Sequence, residues 1–103
     1  MEDFIQKNKD EIISNLIKLI QIPSVKSIEV DDTTPFGKEI NTALIFMLDL
    51  GKKLGFRVKN IDNKCGYIEF GPENGKLVGI ICHLDVVPSG DNWTFDPFLR
   101  NYF

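Results

Sequence analysis

The run Lys76-Leu77-Val78-Gly79-Ile80-Ile81-Cys82-His83-Leu84 constrains this chain more than any other stretch. It is nearly all apolar and rich in strand-forming Val and Ile. It is far too short to cross a membrane. A strand with apolar side chains on both faces belongs in the middle of a sheet, covered on both sides. The run also stops abruptly. His83-Leu84-Asp85 follows, and the chain then breaks at Pro88 and Gly90. The chain's single histidine, His83, and its single tryptophan, Trp93, both lie in or just after this run.

Other elements precede it. Residues 56–61 alternate, and residues 66–71 are aromatic and β-branched, so both are strand candidates. Asp62-Asn63-Lys64 separates the first pair of strands. Gly71-Pro72-Glu73-Asn74-Gly75 separates the second pair and contains the Asn-Gly hairpin signal. Upstream, apolar residues fall at Phe4, Ile5, Ile12, Ile13, Leu16, Ile17, Leu19 and Ile20. From Ile12 onward this is the three-and-four spacing of an amphipathic helix. Pro23 limits that helix to about Gln21. Residues 24–35 are polar and loop-like. A second helix is expected from Thr34-Pro35, with proline at the first helical position. Phe36, Ile40, Ala43, Leu44, Met47, Leu48 and Leu54 lie along one side of it. Gly55 sits where a C-terminal cap belongs. Two helices followed by short strands predict an α/β fold.

With 103 residues the chain suffices for one small domain. It is 43% hydrophobic and 26% charged, as soluble globular domains are. The net charge is −3, with no lysine or arginine cluster, which argues against a nucleic-acid partner. The charged N-terminal stretch has no apolar signal core and no membrane segment, so a cytoplasmic location is expected. Cys65 and Cys82 make no disulfide framework and are expected as thiols.

The chemistry centres on His83. In an extended strand, residues two apart share a face. His83 and Asp85 therefore point one way, and Cys82 and Leu84 the other. One ring nitrogen of His83 can ligate a metal while a carboxylate accepts a hydrogen bond from the other, fixing the tautomer. Asp85 suits that orienting role. It could instead ligate directly, but one side chain does not easily do both. By position alone, a histidine at a strand end is more often a structural residue, and His-x-Asp is a common pair. A catalytic zinc needs about three protein ligands, and these residues alone do not assemble them. Cys82 is expected as a small buried residue, with no second histidine to serve as base for a reactive thiol. Trp93, Phe95 and Phe98 are expected to pin their loop to the core. Asp31, Asp32, Asp91 and Asp96 are expected as solvated turn residues.

The stretch 83–98, His-Leu-Asp-Val-Val-Pro-Ser-Gly-Asp-Asn-Trp-Thr-Phe-Asp-Pro-Phe, resembles a signature of the zinc exopeptidases. That family includes aminoacylase, acetylornithine deacetylase and succinyl-diaminopimelate desuccinylase. Within it the stretch is most similar to bacterial PepV-type, carnosinase-like dipeptidases. The resemblance rests on His83, Asp85, Val87, Pro88, Gly90, Trp93, Asp96, Pro97 and Phe98, in order and closely spaced. Upstream, residues 16–25 resemble the family's first helix and the Ile22-Pro23-Ser24-Val25 that follows it, and the second helix and residues 66–71 also match. The match covers nearly all of residues 1–98.

The resemblance implies the N-terminal portion of a three-layer αβα zinc-peptidase catalytic domain, two helices then a short β-meander. It implies that residues 1–103 form a partial catalytic domain, without the later catalytic segments and the dimerisation or lid domain. It implies a dipeptidase that hydrolyses amide bonds with a zinc-activated water. Two zinc ions serve the family, and His83 is the one ligand assignable here. Asp85 is implied as the residue that orients it. The substrate would be a dipeptide, with no nucleic acid or membrane partner. Two departures stand out. The family usually has glycine where this chain has Cys82, and the tail from Leu99 onward does not follow the family pattern. The polypeptide by itself is therefore expected to be inactive and prone to self-association. The competing reading is a non-catalytic α/β module or an inactive remnant.

Overall fold

In the computed structural model, residues 1–99 are described. They form α1 (Glu2–Ile20), α2 (Lys38–Lys53), β1 (Arg57–Ile61) and β2 (Cys65–Glu69). The class is α/β, with two helices followed by a two-stranded antiparallel sheet.

Helix α1 begins ten residues before the periodicity demands it. Its first turns are rich in Glu, Gln and Lys, which favour helix without an apolar face. Glu2 and Asp3 lie in the first turn and Lys18 in the last, complementing the helix dipole. The helix stops at Gln21, just before Pro23 as expected. None of its residues is buried, and Leu16 is 52% exposed.

Helix α2 starts at Lys38 rather than near Pro35. The preceding residues are held in a competing turn. The Thr33 and Thr34 N–H groups and the Thr34 hydroxyl all donate to Asp31 Oδ1, at 2.8, 2.6 and 3.0 Å. Such a side-chain turn offers the backbone an alternative to helix. Gly37 then caps the helix at φ 109°, and a Cβ there would lie 2.7 Å from Ser27 Cβ. Both conditions require glycine. At the other end, Gly55 takes φ 87° and its N–H donates to the Lys52 carbonyl, as the capping expectation has it.

Strands β1 and β2 pair from Arg57↔Glu69 to Ile61↔Cys65. Asp62 and Asn63, at φ 56° and 57°, turn the chain. Both residue types tolerate this left-handed region. Asn60 and Asn63 clasp the turn: Asn60 Nδ2 donates to Asn63 Oδ1 at 2.6 Å, and Asn63 N–H returns a bond to Asn60 Oδ1 at 2.8 Å. Asn63 Nδ2 also donates to the Thr33 carbonyl, tying the hairpin to the loop between the helices. At the open end, Arg57 pairs with Glu69 at 3.0 Å.

Helix α2 packs on this hairpin. Ala43 is fully buried and Leu48 is 7% exposed. Gly51 lies against Ile68, and Gly66 lies against Leu48 and the Lys59 carbonyl. The small residues let helix and sheet approach closely.

The third expected strand does not form. Residues 76–84 have no strand partner among the described residues. Leu77, Val78, Ile80 and Ile81 are 84–99% exposed. The turn at residues 72–75 closes, with Gly75 N–H donating to the Pro72 carbonyl, but the chain does not return along β2. An apolar strand is stable only with neighbours to satisfy its backbone and cover its faces, and residues 1–99 supply neither.

The consequence is visible in the dimensions. A compact chain of this mass exposes about 5,900 Å², whereas this one exposes 8770 Å². Its radius of gyration is 15.9 Å, against about 13 Å for a compact domain of this length. No helix among the described residues is long and apolar enough to cross a membrane.

Candidate functional site

The loop after α1 reaches the His83 segment through one short clasp. Pro23 fixes its own backbone, and Ser24 N–H donates to the Ile22 carbonyl at 2.8 Å. Val25 forms an isolated parallel bridge with Val86. Val86 N–H donates to the Ser24 carbonyl at 3.0 Å. The Ser24 hydroxyl donates to the Leu84 carbonyl, also at 3.0 Å. Ser24 is only 3% exposed. The segment that lacks a strand partner over residues 76–82 is thus held at 84–86.

His83 and Asp85 come together as the spacing implies, though on irregular chain rather than on a strand. The nearest acceptor is the backbone of Asp85: His83 Nδ1 lies 2.9 Å from the Asp85 carbonyl oxygen. The Asp85 carboxylate is further, with Oδ1 3.4 Å from the same nitrogen. A carbonyl oxygen only accepts, so this contact requires a hydrogen on Nδ1. In neutral imidazole that leaves Nε2 with its lone pair open. Both side chains are exposed. Nε2 is therefore a chemically suitable metal donor, with its partner nitrogen already engaged.

One donor does not make a centre. Among the described residues, no group of three or more His, Cys, Asp or Glu side chains is arranged to hold a metal ion. A catalytic zinc takes about three protein ligands, so these residues fit part of such a site and do not complete it. Cys82, expected as buried, is exposed, because the third strand that would have carried it into a covered sheet does not form among the described residues. Cys65, on β2, is likewise an exposed free thiol.

The loop beyond Asp85 is shaped by its own contacts. Trp93 Nε1 donates to the Ser89 carbonyl at 2.8 Å, and the ring remains 57% exposed. Phe95 is 61% exposed. Trp93 therefore braces the loop from within instead of pinning it to a core. Asp96 Oδ1 accepts the Phe98 N–H at 2.8 Å, and Leu99 N–H donates to the Asp96 carbonyl, so the Asp-Pro-Phe stretch is a turn. Gln21 Nε2 donates to the Leu99 carbonyl at 3.3 Å, bringing the end of this loop back to α1. The remaining tail residues, 100–103, lie outside the described residues.

The residue that pattern reasoning passed over is Ser24. Its signal was present in Ile22-Pro23-Ser24-Val25, a short polar residue locked between a proline and a β-branched residue.

The chain is similar to bacterial proteins named as dipeptidases. "Putative dipeptidase YtjP" of Bacillus subtilis is 42% identical over 97 residues, covering 89% of this chain and 20% of that protein. Proteins that also carry the name "Putative dipeptidase", from Staphylococcus haemolyticus and Staphylococcus aureus, are 37% and 38% identical over 95 residues. Those matches cover 91% of this chain and 20% of each relative. The chain thus spans about a fifth of the length of the curated relatives it matches. No protein-family model matches it.

Proposed function

We propose that this chain is the part of a metal-dependent dipeptidase that carries one zinc ligand, His83, with Asp85 as the residue that orients its ring. The observation that carries the reading is the Nδ1 contact to Asp85, which leaves Nε2 open. The similarity to proteins named as dipeptidases supports the substrate class, a dipeptide. Zinc, when bound, supplies a Lewis acid and lowers the pKa of a coordinated water. The residues of this chain supply orientation. The Asp85 carbonyl holds Nδ1, and the Asp85 carboxylate adds negative charge beside the ring. The rest of a catalytic centre comes from residues this chain does not contribute, so the 103-residue polypeptide alone does not turn over dipeptides.

The test exchanges parts. Residues 1–98 replace the matching fifth of the Bacillus subtilis relative, and hydrolysis of a dipeptide panel is followed by amine release with added zinc. The expected result is an active hybrid that loses both activity and about one zinc equivalent on His83→Ala. A hybrid that keeps its activity and zinc content with His83→Ala overturns the ligand assignment.

A further inference from the structure

We propose that Ser24 is a positioning residue for the His83–Asp85 pair, setting the geometry of the ring from the far side of the chain. The proposal rests on the reading of His83 as a metal ligand and goes beyond it to the residue that holds the ligand still.

Ser24 grips both peptide groups that flank Asp85. Its hydroxyl bonds the Leu84 carbonyl, which belongs to the peptide between residues 84 and 85. Its carbonyl accepts the Val86 N–H, which belongs to the peptide between residues 85 and 86. The Asp85 carbonyl that meets His83 Nδ1 lies in that second peptide. A peptide group is planar, so fixing Val86 N–H fixes the direction of the Asp85 carbonyl. The path is continuous: Ser24 carbonyl, Val86 N–H, Asp85 carbonyl, His83 Nδ1. Linked hydrogen bonds of this kind polarise one another. The Asp85 carbonyl thereby becomes a better acceptor and selects the Nδ1-protonated ring.

The surroundings explain why the work falls to Ser24. His83 is highly exposed, so packing does not orient it. Residues 76–82 have no ladder to hold them among the described residues. Ser24 is buried, and all its polar groups are engaged: N–H to Ile22, carbonyl to Val86, hydroxyl to Leu84. A buried hydroxyl that lost its partner would be unfavourable, so the grip is retained. Only a small residue with a strong donor serves here.

The test uses the whole 103-residue chain and has three readouts. Because the chain contains one histidine, its imidazole nitrogens give a single set of NMR resonances. Amide exchange at Val86 is compared with amides of the β1–β2 hairpin, and zinc affinity is measured by calorimetry with zinc alone. Ser24→Ala keeps the backbone carbonyl that accepts the Val86 N–H and removes the hydroxyl bond to Leu84. With one bond fewer closing the clasp, Val86 exchange is expected to speed about five-fold, and the hairpin to stay unchanged. The imidazole pattern should move from the Nδ1-protonated form toward a tautomer mixture, and zinc should bind more weakly. Ser24→Thr, which keeps the hydroxyl, should restore the exchange rate and the imidazole pattern. Ser24→Cys, near in size but a weak donor, should behave like Ser24→Ala in the exchange and imidazole readouts. Unchanged Val86 exchange and imidazole resonances in Ser24→Ala overturn the proposal. So does equal acceleration in the hairpin, which marks a general loss of stability, or a Ser24→Cys chain that matches the wild type. Equal zinc binding by the wild type and His83→Ala overturns the ligand reading instead, and the exchange and imidazole readouts then decide the part of Ser24 independently.

Discussion

At the scale of single residues, the two carboxylates of interest behave differently. Asp31 organises the turn before α2, and the hydrogen bond from the Thr34 backbone, helped by the Thr34 hydroxyl, holds its pKa below the ordinary value of 3.8. The ionised form is the one the turn prefers. Its contribution is present above the ordinary value and fades as pH falls through the lowered one. The Thr33 and Thr34 amide resonances should therefore titrate together, in a window below 3.8, and Asp31→Ala should abolish that titration. Asp85 offers a carbonyl at 2.9 Å and a carboxylate at 3.4 Å. Asp85→Asn keeps the first and removes the charge of the second. Zinc affinity should fall about ten-fold, the lower end of what partners of metal ligands contribute; a fall of a hundred-fold or more would assign the main role to the carboxylate. The pairing of His83 with Asp85 was legible from their spacing. That the backbone of Asp85 would come nearest was not, because alternation on a strand says which side chains share a face and nothing about carbonyl directions on irregular chain.

At the scale of elements, the hairpin and α2 were legible because each rests on local chemistry. Alternation set the strands, Asp62-Asn63 the turn, and Gly55 the helix end. The third strand failed for the opposite reason. A central strand is defined by neighbours, and its composition announces the need for them without supplying them. The start of α2 was displaced because the Asp31 turn competes with helix, an effect visible only once Thr33 and Thr34 are seen to donate to one oxygen. The contact of α2 with the hairpin gives a paired prediction. A Cβ on Gly66 would lie 2.7 Å from the Lys59 carbonyl, a backbone atom, and 3.0 Å from Leu48. Gly66→Ala should destabilise by about 1–3 kcal/mol, as overpacking does. A Cβ on Gly51 would meet only the Ile68 side chain, at 2.9 Å, and alanine favours helix over glycine by about 1 kcal/mol. Gly51→Ala should therefore cost less than Gly66→Ala in thermal unfolding. The reverse order would mean that Ile68 is less free to move than the backbone of β1.

At the scale of the whole molecule, residues 77–81 and α1 are among the segments that leave large apolar side chains exposed. Exposed apolar surface of this kind drives association. The purified chain should sediment as concentration-dependent oligomers, and Ile80→Lys with Ile81→Lys should shift it toward monomer without loss of helix; a wild-type chain that stays monomeric over the same concentrations would count against this. The clasp at Ser24 has a further consequence, which concerns the time at which the protein is made. The Ser24 hydroxyl and its acceptor on Leu84 are separated by 60 residues of sequence. Ribosomes add about 5–20 residues per second, so roughly 3–12 seconds pass between the synthesis of the two. Helix α2 and the β1–β2 hairpin, whose partners are close in sequence, can form in that interval, since hairpins close in microseconds. Ser24 must wait. The segment bearing His83 finds its place after them, docking onto a scaffold already built.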